Sequence, residues 1–92
     1  MWQDYCILYG IQFDNNATTE LIEKINASKY YNNNSFHNGA WTAKDFVTVD
    51  SVKAVWSKSP KGYDFSRQDR RTSYYIEFDT VTNILKYNEC AD

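Results

Sequence analysis

The side chains best equipped for chemistry in this sequence are one histidine, two cysteines and a cluster of cations between Lys58 and Arg71. His37 stands in Ser35-Phe36-His37-Asn38-Gly39. Imidazole titrates near neutrality, so beside an arginine that clamps phosphate it could act as the general base of a small ribonuclease. The sequence gives it no fixed partner, and a histidine among loop-forming residues reads first as polar surface. No residue is therefore assigned a catalytic role. Cys6 and Cys90 could reach disulfide distance if the first and last strands are neighbours, although a cytoplasmic protein keeps its thiols reduced. Two cysteines and one histidine spaced by 31 and 53 residues match no zinc pattern. No glycine-rich phosphate loop is present, so neither metal nor cofactor is implied.

The cationic segment is the best place to look for activity. It holds Lys58, Lys61, Arg67, Arg70 and Arg71 against Asp64 and Asp69, a local charge of +3. The rest of the chain carries five basic and ten acidic residues, and the whole is −2. Tyr63 and Phe65 lie among these cations. Cations for phosphate and rings for stacking on bases are what single-stranded nucleic acid requires. A second reading pairs Arg67, Arg70 and Arg71 with Asp64, Asp69 and Glu77 on a solvated loop. A third docks arginine and tyrosine anchors onto an acidic protein surface. The acidic balance of the chain disfavours nucleic acid.

The elements that must position these residues are legible to different degrees. Thr72–Glu89 is the clearest: Tyr74, Ile76 and Phe78 alternate with Tyr75, Glu77 and Asp79, and Ile84–Tyr87 resumes a β-prone run after Asp79–Asn83. That pattern predicts a hairpin with a loop of about five residues. Tyr5–Phe13 predicts a first strand. Cys6 and Leu8 are apolar like Tyr5, Ile7 and Tyr9, so its first half should be buried on both sides, as in a central strand. Thr18 or Asn16 caps an expected helix over about Thr19–Ser28, whose stripe of Leu21, Ile22 and Ile25 needs a sheet to lie on.

Lys29–Trp41 reads as irregular, with Tyr30, Tyr31, Phe36 and Trp41 either pinning a loop over the core edge or contacting a partner. Over Ser51–Ser57 two readings compete. A strand out of phase with Val47 and Val49 needs a bulge near Asp50, whereas a short helix would be capped by Asp50; valine density favours the strand. Lys58–Arg71 then reads as a long polar connection.

These expectations add up to an α+β domain over residues 1–92. It is a mostly antiparallel sheet of three to five strands with one amphipathic helix on one face, in the order β-α-β-(β or α)-β-β. The first residues lack the basic and apolar regions of a signal peptide, and no run approaches a membrane span. The expected location is therefore cytoplasmic. Three sequons, at Asn16, Asn26 and Asn33, would matter only in a secreted eukaryotic protein. Asn, Lys, Ile, Tyr and Phe outnumber Gly, Ala, Arg and Pro, as in AT-rich genes of bacteriophages and low-GC bacteria.

With 17% aromatic residues, rings must supply much of the core and part of the surface. The expected function is a non-enzymatic protein-binding module, of the kind by which a phage or mobile element inhibits a host protein by occupying its surface. Its contacts are expected from Lys58, Lys61, Tyr63, Phe65, Arg67, Arg70 and Arg71, together with Tyr30, Tyr31 and Trp41. The alternative is a nucleic-acid-binding protein or small RNase acting through 58–71.

Overall fold

Alternation of ring and polar side chains governs more of this chain than its turn residues suggest. A computed structural model describes residues 5–91. Among them the elements run β1 (Tyr5–Gln12), α1 (Asn15–Ala27), β2 (Tyr31–Phe36), β3 (Val47–Val49), β4 (Val52–Lys58), β5 (Gly62–Gln68), β6 (Thr72–Asp79) and β7 (Ile84–Ala91). All seven strands join one sheet in the order β1-β7-β6-β5-β4-β2, and β3 also pairs with β4. Every pairing is antiparallel except β2 with β4, so the sheet is mixed.

This corrects the expected α+β sheet of three to five strands. Three segments account for the difference. Tyr31–Phe36, read as irregular, is a strand despite its asparagines, because it lies along the free side of β4. Val47–Lys58 is not one bulged strand but a hairpin folded at Asp50-Ser51. Both residues have positive φ (51° and 67°), the backbone of a two-residue type I′ turn. Lys58–Arg71, read as one long connection, consists of the end of β4, a turn, the seven-residue β5 and a second turn. Gly62 is required where β5 begins, since a Cβ there would collide with the carbonyl oxygen of Phe78.

The C-terminal hairpin forms as expected, with its turn held by Asp79. Its Oδ1 accepts from the amides of Val81 (2.9 Å) and Thr82 (3.1 Å). β1 pairs with β7, but it is an edge strand, exposed along its whole length rather than buried centrally. Cys6 faces Cys90 across this pair and the two form a disulfide.

The helix begins four residues earlier than expected. Asp14 is its N-cap, accepting from the Ala17 amide at 2.7 Å. α1 carries the chain from the β1 edge to β2 at the opposite edge, past the four strands between them. At a strand spacing of ~4.8 Å that crossing covers roughly 24 Å, and a helix of this length supplies about 20 Å of it. Both ends of the crossover touch one row of the sheet: Phe13 packs on Phe78 with centroids 5.7 Å apart, and Tyr31 on Tyr63 at 6.2 Å. The helix lies along that row, with Ile25 and Thr18 buried and Leu21 and Ile22 only half-buried. The opposite face of β4–β6 is covered by the loop of residues 37–46. Fully buried apolar side chains are few among the described residues: Ile25, Ala54, Val55, Phe78 and Ala91.

Two stability predictions follow from this packing. Ile25→Ala should cost about 3 kcal/mol in a urea melt, and Ile22→Ala clearly less, because only Ile25 leaves a full cavity. Replacing Asp50-Ser51 by Asn-Gly should raise stability by about 1 kcal/mol, since both positions already hold left-handed backbone.

Candidate functional site

Residues directly opposed across strands share a face, so the register sorts the side chains into two surfaces. The first, under the 37–46 loop, carries Val55, Ser66 and Tyr75 in one row and Ser57, Asp64, Glu77 and Lys86 in the next. Here His37 finds a partner that the sequence does not announce. Its Nδ1 lies 2.5 Å from Oδ2 of Asp64, and both residues are 7% exposed. Trp41 stacks on the imidazole with centroids 3.6 Å apart and planes at 12°, and donates its indole N–H to Ser57 Oγ (3.0 Å). Ser57 in turn shares a 2.7 Å hydrogen bond with Ser35. Tyr75 meets both His37 and Trp41 edge-on, and burial pushes its phenol up to about 12.

A histidine oriented by a carboxylate is the arrangement catalytic dyads use. Here the ring is capped by Trp41 and walled by Tyr75, so it works as the pin that fastens the loop to the sheet. Within the loop Asp45 accepts from the Thr42 amide at 2.7 Å, a bond that draws its own carboxyl below the usual range, and the Asp45 carbonyl accepts from the Asn32 side chain of β2 at 3.1 Å. Beside Asp64 a cavity of about 390 Å³ opens among Ser59, Lys61, Glu77, Asp79 and Lys86. Across the strands Lys86 faces Glu77, and Glu77 faces the like-charged Asp64. Among the described residues no group of three or more His, Cys, Asp or Glu side chains is placed to hold a metal.

The second surface is aromatic. One row runs Tyr9, Tyr87, Ile76, Phe65, Trp56 across five strands, and the row beside it runs Ile7, Glu89, Tyr74, Arg67, Ala54. The crossover that holds α1 begins and ends on the neighbouring row, Phe13 on Phe78 and Tyr31 on Tyr63, and most side chains of these two rows remain partly accessible. Tyr9 is 49% exposed, and Tyr87, Ile76, Phe65, Trp56, Tyr74 and Arg67 are half-buried. The rings brace one another, Tyr9 on Tyr87 at 5.0 Å and Phe65 on Trp56 at 4.9 Å. The Arg67 guanidinium lies 5.5 Å from the Tyr74 ring. Glu89 accepts from the Tyr87 hydroxyl at 2.7 Å, which pushes that phenol up to about 12.

The residues singled out from sequence are thus divided rather than gathered. Phe65 and Arg67 belong to the open aromatic rows. Tyr63 shares their face, as does Tyr31, but the two pack together at the end of the helix crossover. Lys58 and Lys61 flank one end of β5, whereas Arg70 and Arg71 lie in the turn at its other end, about 23 Å away for seven extended residues. Trp41 belongs to the other face, and Tyr30 is spent on the Val49 carbonyl at 3.4 Å. Sequence reasoning missed Tyr9, Trp56, Tyr74, Ile76 and Tyr87 as surface. The signal was present in Tyr63, Phe65 and Arg67, which alternate with Asp64, Ser66 and Gln68 as a strand demands.

Compared with protein-family models, curated proteins and solved structures, the chain finds no match.

The His37–Asp64 pin carries a pH signature. Burial raises the Asp64 carboxyl above its ordinary 3.8, and the hydrogen bond from His37 offsets part of that rise. A carboxyl raised by folding favours the fold most below its unfolded value, and that contribution is lost as pH climbs through the folded value. His37→Ala should therefore cost about 3 kcal/mol at pH 7, where it strands a buried carboxylate. The deficit relative to wild type should shrink as the pH is lowered and Asp64 takes up a proton. Paired urea melts at neutral and mildly acidic pH check both the size and the sign.

Proposed function

We propose that the protein is a non-enzymatic binding module that docks another protein on the open aromatic rows of its sheet. The observation that carries this reading is the row Tyr9, Tyr87, Ile76, Phe65, Trp56, beside Tyr74 and Arg67, a continuous band of partly accessible rings across five strands. Tyrosine, tryptophan and arginine are the side chains from which interface hot spots are built, because they offer large, stiff contact area with a polar tip. The complementary surface is apolar at its centre and acidic at one rim, where it would meet Arg67, Arg70 and Arg71. Action is by occupancy: the module masks what it covers, in the manner of a small inhibitor.

A nucleic-acid ligand is less well supported. Its phosphates would need cations along the rings, yet Lys58 and Lys61 stand at one end of β5 and Arg70 and Arg71 at the other. Among the described residues no helix is long and apolar enough to cross a membrane. The Cys6–Cys90 bond favours an oxidising compartment over the cytoplasmic setting read from sequence.

A photo-crosslinking residue in place of Tyr74 should capture one discrete protein from the native source, while the same probe in place of the exposed, remote Val81 should not. Phe65→Ala should weaken the captured complex by tenfold or more, about 1.4 kcal/mol or above. Equal capture from both positions would sink the assignment. Binding of RNA or DNA oligonucleotides that falls steeply with salt and on Arg70→Glu with Arg71→Glu would replace it with the nucleic-acid reading.

A further inference from the structure

Among the described residues, the outer edge of β1 lacks the devices by which sheet edges are usually shielded. Natural edges carry lysines, prolines, bulges or a covering segment, because unpaired amides and carbonyls are templates for another strand. Tyr5–Gln12 contains no charge and no proline, pairs with β7 in unbroken register, and is exposed throughout. One face is apolar, with Tyr5, Ile7, Tyr9 and Ile11 on the aromatic side, and the other presents Leu8, 71% exposed, between Cys6 and Gly10. The opposite edge differs. There β2 presents Asn32, Asn33 and Asn34, its pairing with β4 is irregular, and β3 occupies the rest of β4.

We infer that β1 pairs with β1 of a second copy, antiparallel about a two-fold axis at Leu8, to make one continuous sheet through both chains. The hydrogen-bonding phase of β1 allows it. Phe13 donates its amide to the Asn83 carbonyl, so the odd-numbered residues of this ladder bond inward to β7. The Cα atoms of Cys6 and Cys90 are 4.1 Å apart, the close spacing of a non-hydrogen-bonded pair, which gives the same phase. The amides and carbonyls of Leu8 and Gly10 therefore point outward.

An axis through Leu8 makes Leu8 and its mate a hydrogen-bonded pair and sets Ile7 against Tyr9 and Tyr5 against Ile11. Every opposed pair in the central stretch is apolar. A second copy fits better than a foreign strand because the segment is self-complementary: two identical uncharged strands meet with no like charges opposed, and a two-fold contact closes on itself. The Tyr9 row of each copy would then run into the Ile7 row of the other, giving one doubled docking face. This association stands whether or not that face binds a partner.

Analytical ultracentrifugation of the wild-type protein over a dilution series tests it, with Leu8→Lys and Tyr74→Ala alongside. Wild type should sediment at twice the chain mass when concentrated and fall to the monomer on dilution. Leu8→Lys places like charges against each other at the axis and should be monomeric throughout. Its far-UV circular dichroism and melt should match wild type, since Leu8 has little burial to lose. Tyr74→Ala should dimerise like wild type. Three results would overturn the proposal: a wild type that is monomeric at every concentration, a Leu8→Lys protein that dimerises as well as wild type, or a ladder of higher oligomers, which means head-to-tail pairing. Loss of the dimer in Tyr74→Ala but not Leu8→Lys would also overturn it, by moving the contact onto the aromatic face.

Discussion

A sheet has two faces, and this chain spends so much of itself on strands that it keeps little with which to cover them. One thirteen-residue helix and the loop of residues 37–46 must shield a sheet of seven strands. The helix is committed to a crossing from one edge to the other, so it covers a single row, the one holding Phe78. The loop reaches only the inner strands on the other side. The open aromatic rows and the bare β1 edge both follow from this shortage of covering chain. A side chain that cannot be buried must at least be tolerable in water, and tyrosine and tryptophan, with an apolar body and a polar tip, suit that position better than leucine or valine.

The two coverings are held by different physics. α1 is seated by apolar burial at Ile25 and by the rings of Phe13 and Phe78, a non-directional contact that fixes where the helix lies but not which residues flank it. The 37–46 loop is fastened by directional bonds: His37 to Asp64, Trp41 to Ser57, and the Asn32 side chain of β2 to the Asp45 carbonyl. A polar cluster of this kind is stable when each member has a partner and costly when one is removed. That is why the only histidine of the sequence sits inside rather than at the surface.

What was legible in the sequence was local. The hairpin of β6 and β7 was readable from period-2 alternation bounded by Asp79 and Asn83, and the helix from the spacing of Leu21, Ile22 and Ile25. Both lie in segments whose own residues settle their structure. β2 was not readable, because Tyr-Asn-Asn-Asn-Ser-Phe has the composition of a loop and becomes a strand only through β4, which follows it in the chain. β5 was hidden for another reason. Its density of charge is that of a solvated loop, and it masks the alternation of Tyr63, Phe65 and Arg67 with Asp64, Ser66 and Gln68. The edge position of β1 depends on pairing with a strand some eighty residues away, and no local pattern distinguishes an edge from a centre when both faces are apolar. The partnership of His37 with Asp64 and the row from Tyr9 to Trp56 depend on the same long-range register.

The central claim is that the rows containing Trp56, Phe65, Tyr74 and Tyr87 face solvent in the free protein. Hydroxyl-radical footprinting read residue by residue tests it most directly, with Phe78 of the same sheet face as the internal reference. The account predicts fast oxidation at those four positions and strong protection of Phe78 beneath the helix. Protection of all five to the same degree would mean that something covers the whole face, and would contradict it.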